Sequence, residues 1–296
     1  MSKQPDIICI GSVLWDLIGR TDIPMKAGDD QPGRITRLAG GVALNIAQTL
    51  VRFAMRPAVL TVIGNDREGT QLIEACEALG IDTAFALRRD DLPTDRYMAI
   101  ESTGGLVAAI ADAHSLEAAG DTILQPLRDG RLGTLDAPYC GRVALDGNLT
   151  QDLLTQIASG PLFANADLRV APASTGKAIR LKPLLKAPNA TLYLNLEEAG
   201  ILAGASFQTT ADAARALVNG GCSRVLVTNG PHDTSDACAA EIHSAAPPPV
   251  EARRITGAGD TFMAAHIAAE SEGHNREFAL NAALQAAATY VSGVDA

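Results

Sequence analysis

The chain is short of several things that common functions require. Its five cysteines, Cys9, Cys76, Cys140, Cys222 and Cys238, are scattered, with no Cys-x-x-Cys pair. Most lie in apolar runs and read as small core hydrophobes of a reduced, cytoplasmic protein. No stretch of about 20 apolar residues is there to span a membrane. The apolar run near the N-terminus stops at Gly11, too short for a signal-peptide core. Positive charge is in deficit: 24 Lys and Arg face 34 Asp and Glu, a net charge of −10. That balance argues against a general nucleic-acid binder, which needs clustered cations to neutralise phosphates. It leaves open small phosphorylated ligands, which backbone N–H groups can hold. Also missing is a Gly-x-Gly-x-x-Gly turn after the first strand with an acidic residue about 20 positions on, which sets aside a nicotinamide-dependent dehydrogenase. No internal repeat or low-complexity tract interrupts the chain, and Pro247-Pro248-Pro249 is a stiff connector rather than a linker between domains.

What the chain does have is alternation, over 296 residues that suffice to bury a full core. Short, near-continuous apolar runs at residues 6–10, 58–63, 143–145, 168–170, 191–194 and 224–228 suit strands buried on both faces of a parallel sheet. Between or after them lie helical patterns at residues 42–54, 68–79, 210–218, 261–270 and 276–291. The first aligns Val42, Ile46, Leu50 and Phe53 on one stripe, and the second stops at Gly80. The alternation predicts one α/β domain over residues 1–296, an open, mostly parallel sheet with helices on both faces. One stretch departs from the rhythm. Residues 96–101 and 106–111 flank the hairpin-like turn Ser102-Thr103-Gly104-Gly105 with no helix between them. Together with the irregular residues 11–39 they predict a small β lid, built from about residues 12–39 and 94–112, of the kind that excludes water from a crevice.

The most informative segment is Thr256-Gly257-Ala258-Gly259-Asp260-Thr261-Phe262. Two glycines bracket a small residue where a helical pattern begins. Such a turn leaves several N–H groups aimed outward at the positive end of the helix dipole, which suits the charge on a transferring phosphoryl group. Asp260, in the first helical turn, is then placed to take a proton from an attacking hydroxyl. The plainer reading is a helix start at which Asp260 only complements the dipole, and the residues alone do not choose between the two.

This segment, placed before a C-terminal helix pair, resembles the signature of the ribokinase/PfkB family of carbohydrate and nucleoside kinases. Other segments match that family in order, over nearly the whole chain. The resemblance implies a ribokinase-like fold, ATP as phosphoryl donor and Mg²⁺, with Asp260 as catalytic base and Gly257, Ala258 and Gly259 beside it. Asp16, in the segment Gly11 to Asp16 after the opening strand, matches the family's sugar-binding Asp; a carboxylate can accept two adjacent hydroxyls, though a turn Asp at a strand end is the plainer fate. Gly40, Gly41 and Asn45 match the family's sugar-contacting loop and helix start. Asn195 and Glu198 look like its Asn-x-x-Glu motif, which organises Mg²⁺ and its waters; an acidic first helical turn is the alternative. Thr228 and Gly230 match its nucleotide-side Thr-x-Gly, although Asp233 stands where a further Gly often follows. Thr256 joins the nucleotide side, and Asn281 and Ala288 would border the adenine. The family often carries an Asp shortly before the Gly turn, where this chain has Arg254 and Ile255.

Residues 32–35, 108–113, 145–150 and 171–178 look more like the pseudouridine-kinase branch, whose product is a 5′-phosphate. Asp112 and Lys177 would then meet the base or a phosphate; otherwise Asp112 is a strand-end turn residue and Lys177 a solvated helix start. The expected partners are ATP and a small sugar or nucleoside, with no nucleic acid and no membrane. A second copy of the chain is a further candidate, because free strand edges in the lid invite pairing. Two other readings stand beside the nucleoside kinase. One is a kinase of a free pentose, hexose or sugar acid. The other is a catalytically silent ligand-binding regulator, which would have no need of Asp260.

Overall fold

The computed structural model describes residues 4–26 and 28–294. Met1, Ser2 and Lys3, part of the N-terminal leader reading, and Ala27, part of the predicted lid, lie outside the described residues. In chain order the elements are β1 (Ile7–Ile10), β2 (Leu14–Arg20), β3 (Arg34–Gly40), α1 (Val42–Arg52), β4 (Pro57–Leu60), β5 (Val62–Gly64), α2 (Arg67–Ala78), β6 (Leu87–Arg89), β7 (Arg96–Ser102), β8 (Gly105–Asp112), α3 (His114–Ala119), β9 (Arg142–Asp146), α4 (Gln151–Ser159), β10 (Asp167–Ala171), β11 (Ala190–Asn195), α5 (Leu196–Ala203), α6 (Thr210–Asn219), β12 (Arg224–Asn229), β13 (His232–Cys238), β14 (Ile242–Ala245), α7 (Ala258–Ser271) and α8 (Arg276–Val291). Among the described residues, 3₁₀ stretches cover Gly120–Leu127, Pro161–Phe163 and Thr175–Lys186.

The central sheet has the order β14-β13-β12-β11-β10-β9-β1-β4, parallel from β12 to β4 and antiparallel at β13 and β14. Its strands read as continuous apolar runs because each feeds two cores. Ile8 and Ile10 pack with Val143, Leu145 and Val170 on one face. Ile7 and Cys9 pack with Leu44, Ile46 and Ile267 on the other. Burying one such aliphatic side chain contributes about 2 kcal/mol. α1, α7 and α8 cover the second face, and α7 is buried without interruption from Thr261 to Ala269, as a helix apolar on all sides must be.

β2, β3, β7 and β8 form a separate four-stranded sheet in the order β3-β2-β7-β8, with β7 and β8 antiparallel across a bulge. Two details differ from the sequence expectation. The apolar run at residues 58–63 is two strands: β4 lies at the edge of the central sheet, and the chain breaks at Thr61 so that β5 can pair with β6. The antiparallel β13 and β14 carry His232, Asp236 and His243 among short polar runs, so they lack the apolar signature of the parallel strands.

Candidate active site

In an open α/β sheet, ligands bind beyond the carboxyl ends of the strands where the strand order reverses. Here β1 leads outward to β4 while β9 leads the other way through β10, so the reversal lies between β1 and β9. Both strands end in polar residues there. Asp146, fully buried, accepts hydrogen bonds from the Ser12 N–H (2.8 Å), the Ser12 hydroxyl (2.5 Å), the Asn148 N–H (2.8 Å) and the Asn148 amide (3.0 Å). Ser12 Oγ also accepts from the Val42 N–H at the start of α1 (3.0 Å). These bonds fix the N-terminus of α1, and with it Gly40, Gly41 and Asn45.

Asn45 then reaches the start of α7. Its Nδ2 donates to Asp260 Oδ2 at 3.0 Å, joining residues 215 positions apart. Asp260 is half-buried in the first turn of α7, after Gly257 has reversed the chain in the left-handed region (φ 90°). Burial pushes the Asp260 carboxyl up to about 7; the Asn45 hydrogen bond opposes that rise and the charge of Asp146 adds to it. The Gly259 and Asp260 N–H groups belong to the helix's first turn and have no carbonyl partner within it. The result is a carboxylate that titrates near neutrality beside free N–H donors, a combination suited to general-base work.

Asp16 comes from β2, opposite Leu38 of β3 and Tyr97 of β7. Its carboxylate lies against Gly40, where a Cβ would overlap it, so a side chain at residue 40 would displace the Asp16 carboxylate. Burial pushes the Asp16 carboxyl up to about 6. Asp112 does not join it. Asp112 pairs with Arg96, and Arg96 with Trp15, which places Asp112 on the opposite face of the small sheet, exposed.

Asn195 and Glu198 form a reciprocal capping box at the start of α5. Asn195 Oδ1 accepts from the Glu198 N–H (2.9 Å), and Glu198 Oε2 accepts from the Asn195 N–H (2.8 Å). The pair therefore caps α5, whose first turn is also acidic through Glu197 and Glu198, as the plainer reading expected. Glu198 is buried, which raises its carboxyl above the ordinary range, and the box engages Oε2 alone. Oε1 remains for a hard cation or its water, a donor set that fits Mg²⁺, which takes few protein ligands and retains water. Among the described residues no group of three or more His, Cys, Asp or Glu side chains is arranged to hold a metal.

On the next strand Thr228 is in register with Asn195, and its hydroxyl donates to the Leu194 carbonyl (3.4 Å). Gly230 makes the turn into β13. Grooves of about 630 and 580 Å³ flank Asn229 between these two residues, and neither is lined by Asp260. Lys177 Nζ donates to Asn148 Oδ1 (2.6 Å), which ties it to the Asp146 cluster. The Thr256 carbonyl accepts from the Tyr290 hydroxyl (2.7 Å). Ser12, Asp146, Asn148 and Tyr290 are the neighbours that sequence reasoning did not single out. The strand-end rule could have flagged Asp146, while Tyr290 is only an aromatic near the end of a helix.

A doubly covered parallel sheet carrying a smaller sheet on one side is the architecture of the ribokinase-like kinases. A solved carbohydrate kinase from Agrobacterium tumefaciens superposes with a TM-score of 0.79 at 27% identity, covering 98% of this chain and 93% of that one. Residues 4–296 match the profile described as pfkB family carbohydrate kinase, and the chain belongs to that family of kinases. It is 30% identical over 77% of its length to YeiI of Escherichia coli, described as an uncharacterized sugar kinase, of which it spans 61%. It is 26% identical over 89% of its length to the pseudouridine kinase of Escherichia coli, spanning 83% of that protein. Among the described residues no helix is long and apolar enough to cross a membrane.

Proposed function

We propose that the protein transfers the γ-phosphoryl group of ATP to a hydroxyl of a sugar or nucleoside, with the 5′-hydroxyl of pseudouridine as the acceptor. The observation that carries this reading is the Asn45–Asp260 hydrogen bond at the strand-order reversal. It sets a carboxylate that titrates near 7 beside the first-turn N–H groups of α7. Asp16 and Asn45 hold the acceptor's hydroxyls, with Gly40 and Gly41 allowing close approach. Asp260 takes the proton of the attacking hydroxyl, and the backbone of Gly257, Ala258 and Gly259 faces the charge that develops on the phosphoryl oxygens. Thr228, Gly230, Thr256 and Lys177 serve the nucleotide side, and Asn195 and Glu198 would hold Mg²⁺, which neutralises phosphate charge when bound. Asp112, on the far face of the small sheet, is outside this assignment.

The likeness to the pseudouridine kinase supports the nucleoside, and the likeness to YeiI supports a free sugar as the second reading. The small sheet acts as the lid, and its far face exposes Ile35, Met98, Ile100 and Ile110, which suits pairing with a second copy. The cytoplasm is the compartment that goes with these substrates.

Release of ADP from ATP and Mg²⁺, measured with pseudouridine, uridine, adenosine, ribose, fructose and 2-keto-3-deoxygluconate in turn, tests the proposal. ADP is expected with pseudouridine. Turnover of a free sugar with pseudouridine inert would reassign the acceptor. Silence across the panel would favour a non-catalytic ligand-binding regulator.

A further inference from the structure

We propose that Tyr290, in the last turn of α8, is a positioning residue that holds the phosphoryl-facing turn at the start of α7. The inference rests on the reading of that turn as the reaction site. The Tyr290 hydroxyl donates to the Thr256 carbonyl at 2.7 Å. A trans peptide is planar, with its C=O and N–H pointing in opposite directions. Fixing the Thr256 carbonyl toward α8 therefore fixes the Gly257 N–H away from it. The Ala258 N–H closes the turn on the Ile255 carbonyl (3.0 Å), and the Thr261 N–H and hydroxyl both reach the Gly257 carbonyl (3.0 Å). Tyr290 thus controls the one peptide of this turn that the helix itself does not hold.

The ring is held in turn. The Arg254 guanidinium stacks over it at 3.9 Å and donates from Nε to the Tyr290 carbonyl (2.7 Å), while the Arg253 N–H donates to the Val291 carbonyl (2.9 Å). The Tyr290 hydroxyl also fills the space that a Cβ on Gly257 would need, so turn and ring are fitted to each other. A tyrosine supplies both the flat face for Arg254 and the donor for Thr256; phenylalanine supplies only the first.

Tyr290→Phe tests this, assayed beside the wild type and Asp260→Asn with the best acceptor of the panel. The expected result is a kcat lower by about tenfold, the worth of one well-placed hydrogen bond. The acceptor KM, the acid limb of the pH–rate profile and the thermal midpoint are expected to stay near their wild-type values. Amide hydrogen exchange over residues 253–262 is expected to quicken with or without substrate, a readout independent of turnover. An unchanged kcat with unchanged exchange would overturn the bracing role. So would a loss confined to the acceptor KM, or a shifted acid limb with an unchanged plateau. An Asp260→Asn protein as fast as wild type would remove the site reading and the bracing with it. An inactive Asp260→Asn beside a normal Tyr290→Phe removes only the bracing.

Discussion

The two ends of α7 treat their carboxylates in opposite ways. Asp260 and Glu270 are ten residues apart on one helix, about 15 Å along its axis. At the N-terminal end, Asp260 has a single side-chain partner among the described residues, the neutral Asn45 amide, and burial lifts its carboxyl to about 7. At the other end burial also opposes the charge on Glu270, but the Arg169 and Arg224 guanidiniums outweigh it and hold the carboxyl below its ordinary range. Arg224 donates to Glu270 Oε1 at 2.6 Å and forks onto Asp236 at 2.7 and 2.9 Å, and Arg169 closes on Glu270 Oε2. Arg276 adds a second fork on Asp236, whose carboxyl falls to about 2 because the two guanidiniums overcome its burial. His266, wholly buried against the Tyr193 hydroxyl (2.9 Å), is held down to about 4 chiefly by desolvation and so stays neutral. One end is satisfied and serves the fold; the other is left short of partners, as a group that must exchange a proton has to be.

Breaking the under-partnered end gives the largest effect. Asp260→Asn is expected to lower kcat by at least about 10²-fold, the lower range for loss of a general base. The same change is expected to stabilise the substrate-free protein. A carboxyl raised from 3.8 to about 7 leaves the folded state holding its proton more tightly than the unfolded state. The wild type therefore loses stability as pH rises from about 4 to 7, while the Asn variant does not. With the crevice partly solvated, the gain at pH 8 is about 1–2 kcal/mol, read as a higher thermal midpoint that converges with wild type near pH 4. A variant as active as wild type, or less stable at pH 8, would erase the contrast between the two ends.

Breaking the satisfied end should do the reverse. Glu270→Ala leaves the Arg169 and Arg224 guanidiniums facing each other with the shared carboxylate gone. Removing one member of a buried ionic network costs about 3–5 kcal/mol, so the thermal midpoint should fall by several degrees. At a temperature where the variant remains folded, kcat should stay within about twofold of wild type, because this end does not touch the acceptor. A large kcat loss without a stability loss would mean that the two ends are not separate in function.

The same contrast explains what was legible in the sequence. Parallel strands buried on both faces must be apolar throughout, so β1, β9, β10, β11 and β12 stood out as runs. The β13–β14 hairpin, whose residues answer to the ionic network, did not. Asp260, Asp16, Gly40 and Asn45 follow strand ends or open helices, where local pattern carries information, and the structure gathers the first and last of these into one hydrogen bond. Asp112 sat in an equally suggestive segment, but strand register decides which face a side chain takes, and a single sequence does not fix the pairing. The network around Glu270 joins residues from β10, β11, β12, β13, α7 and α8, contacts that exist only once the fold does. Asn195 and Glu198 were visible as a motif, yet that spacing serves a capping box and a cation site equally well.

The finest test of the comparison changes the only side-chain partner that Asp260 has among the described residues. Asn45 donates to the ionised carboxylate and so lowers a pKa that burial and Asp146 raise. Asn45→Ala removes the opposing influence, and the acid limb of the kcat profile should move to higher pH. At pH 6.5 the variant is then slower relative to wild type than at pH 8.5, where Asp260 is ionised in both. Asn45 also belongs to the acceptor side, so the acceptor KM rises at every pH; the diagnostic is the change in kcat ratio with pH. A kcat ratio that is flat from pH 6 to 9 would mean that Asn45 positions the acceptor without tuning the base. A limb that moves to lower pH would contradict the direction of the hydrogen bond. At the Glu270 end no such single adjustment exists, because with two guanidiniums in place the loss of one leaves the other to hold the carboxylate.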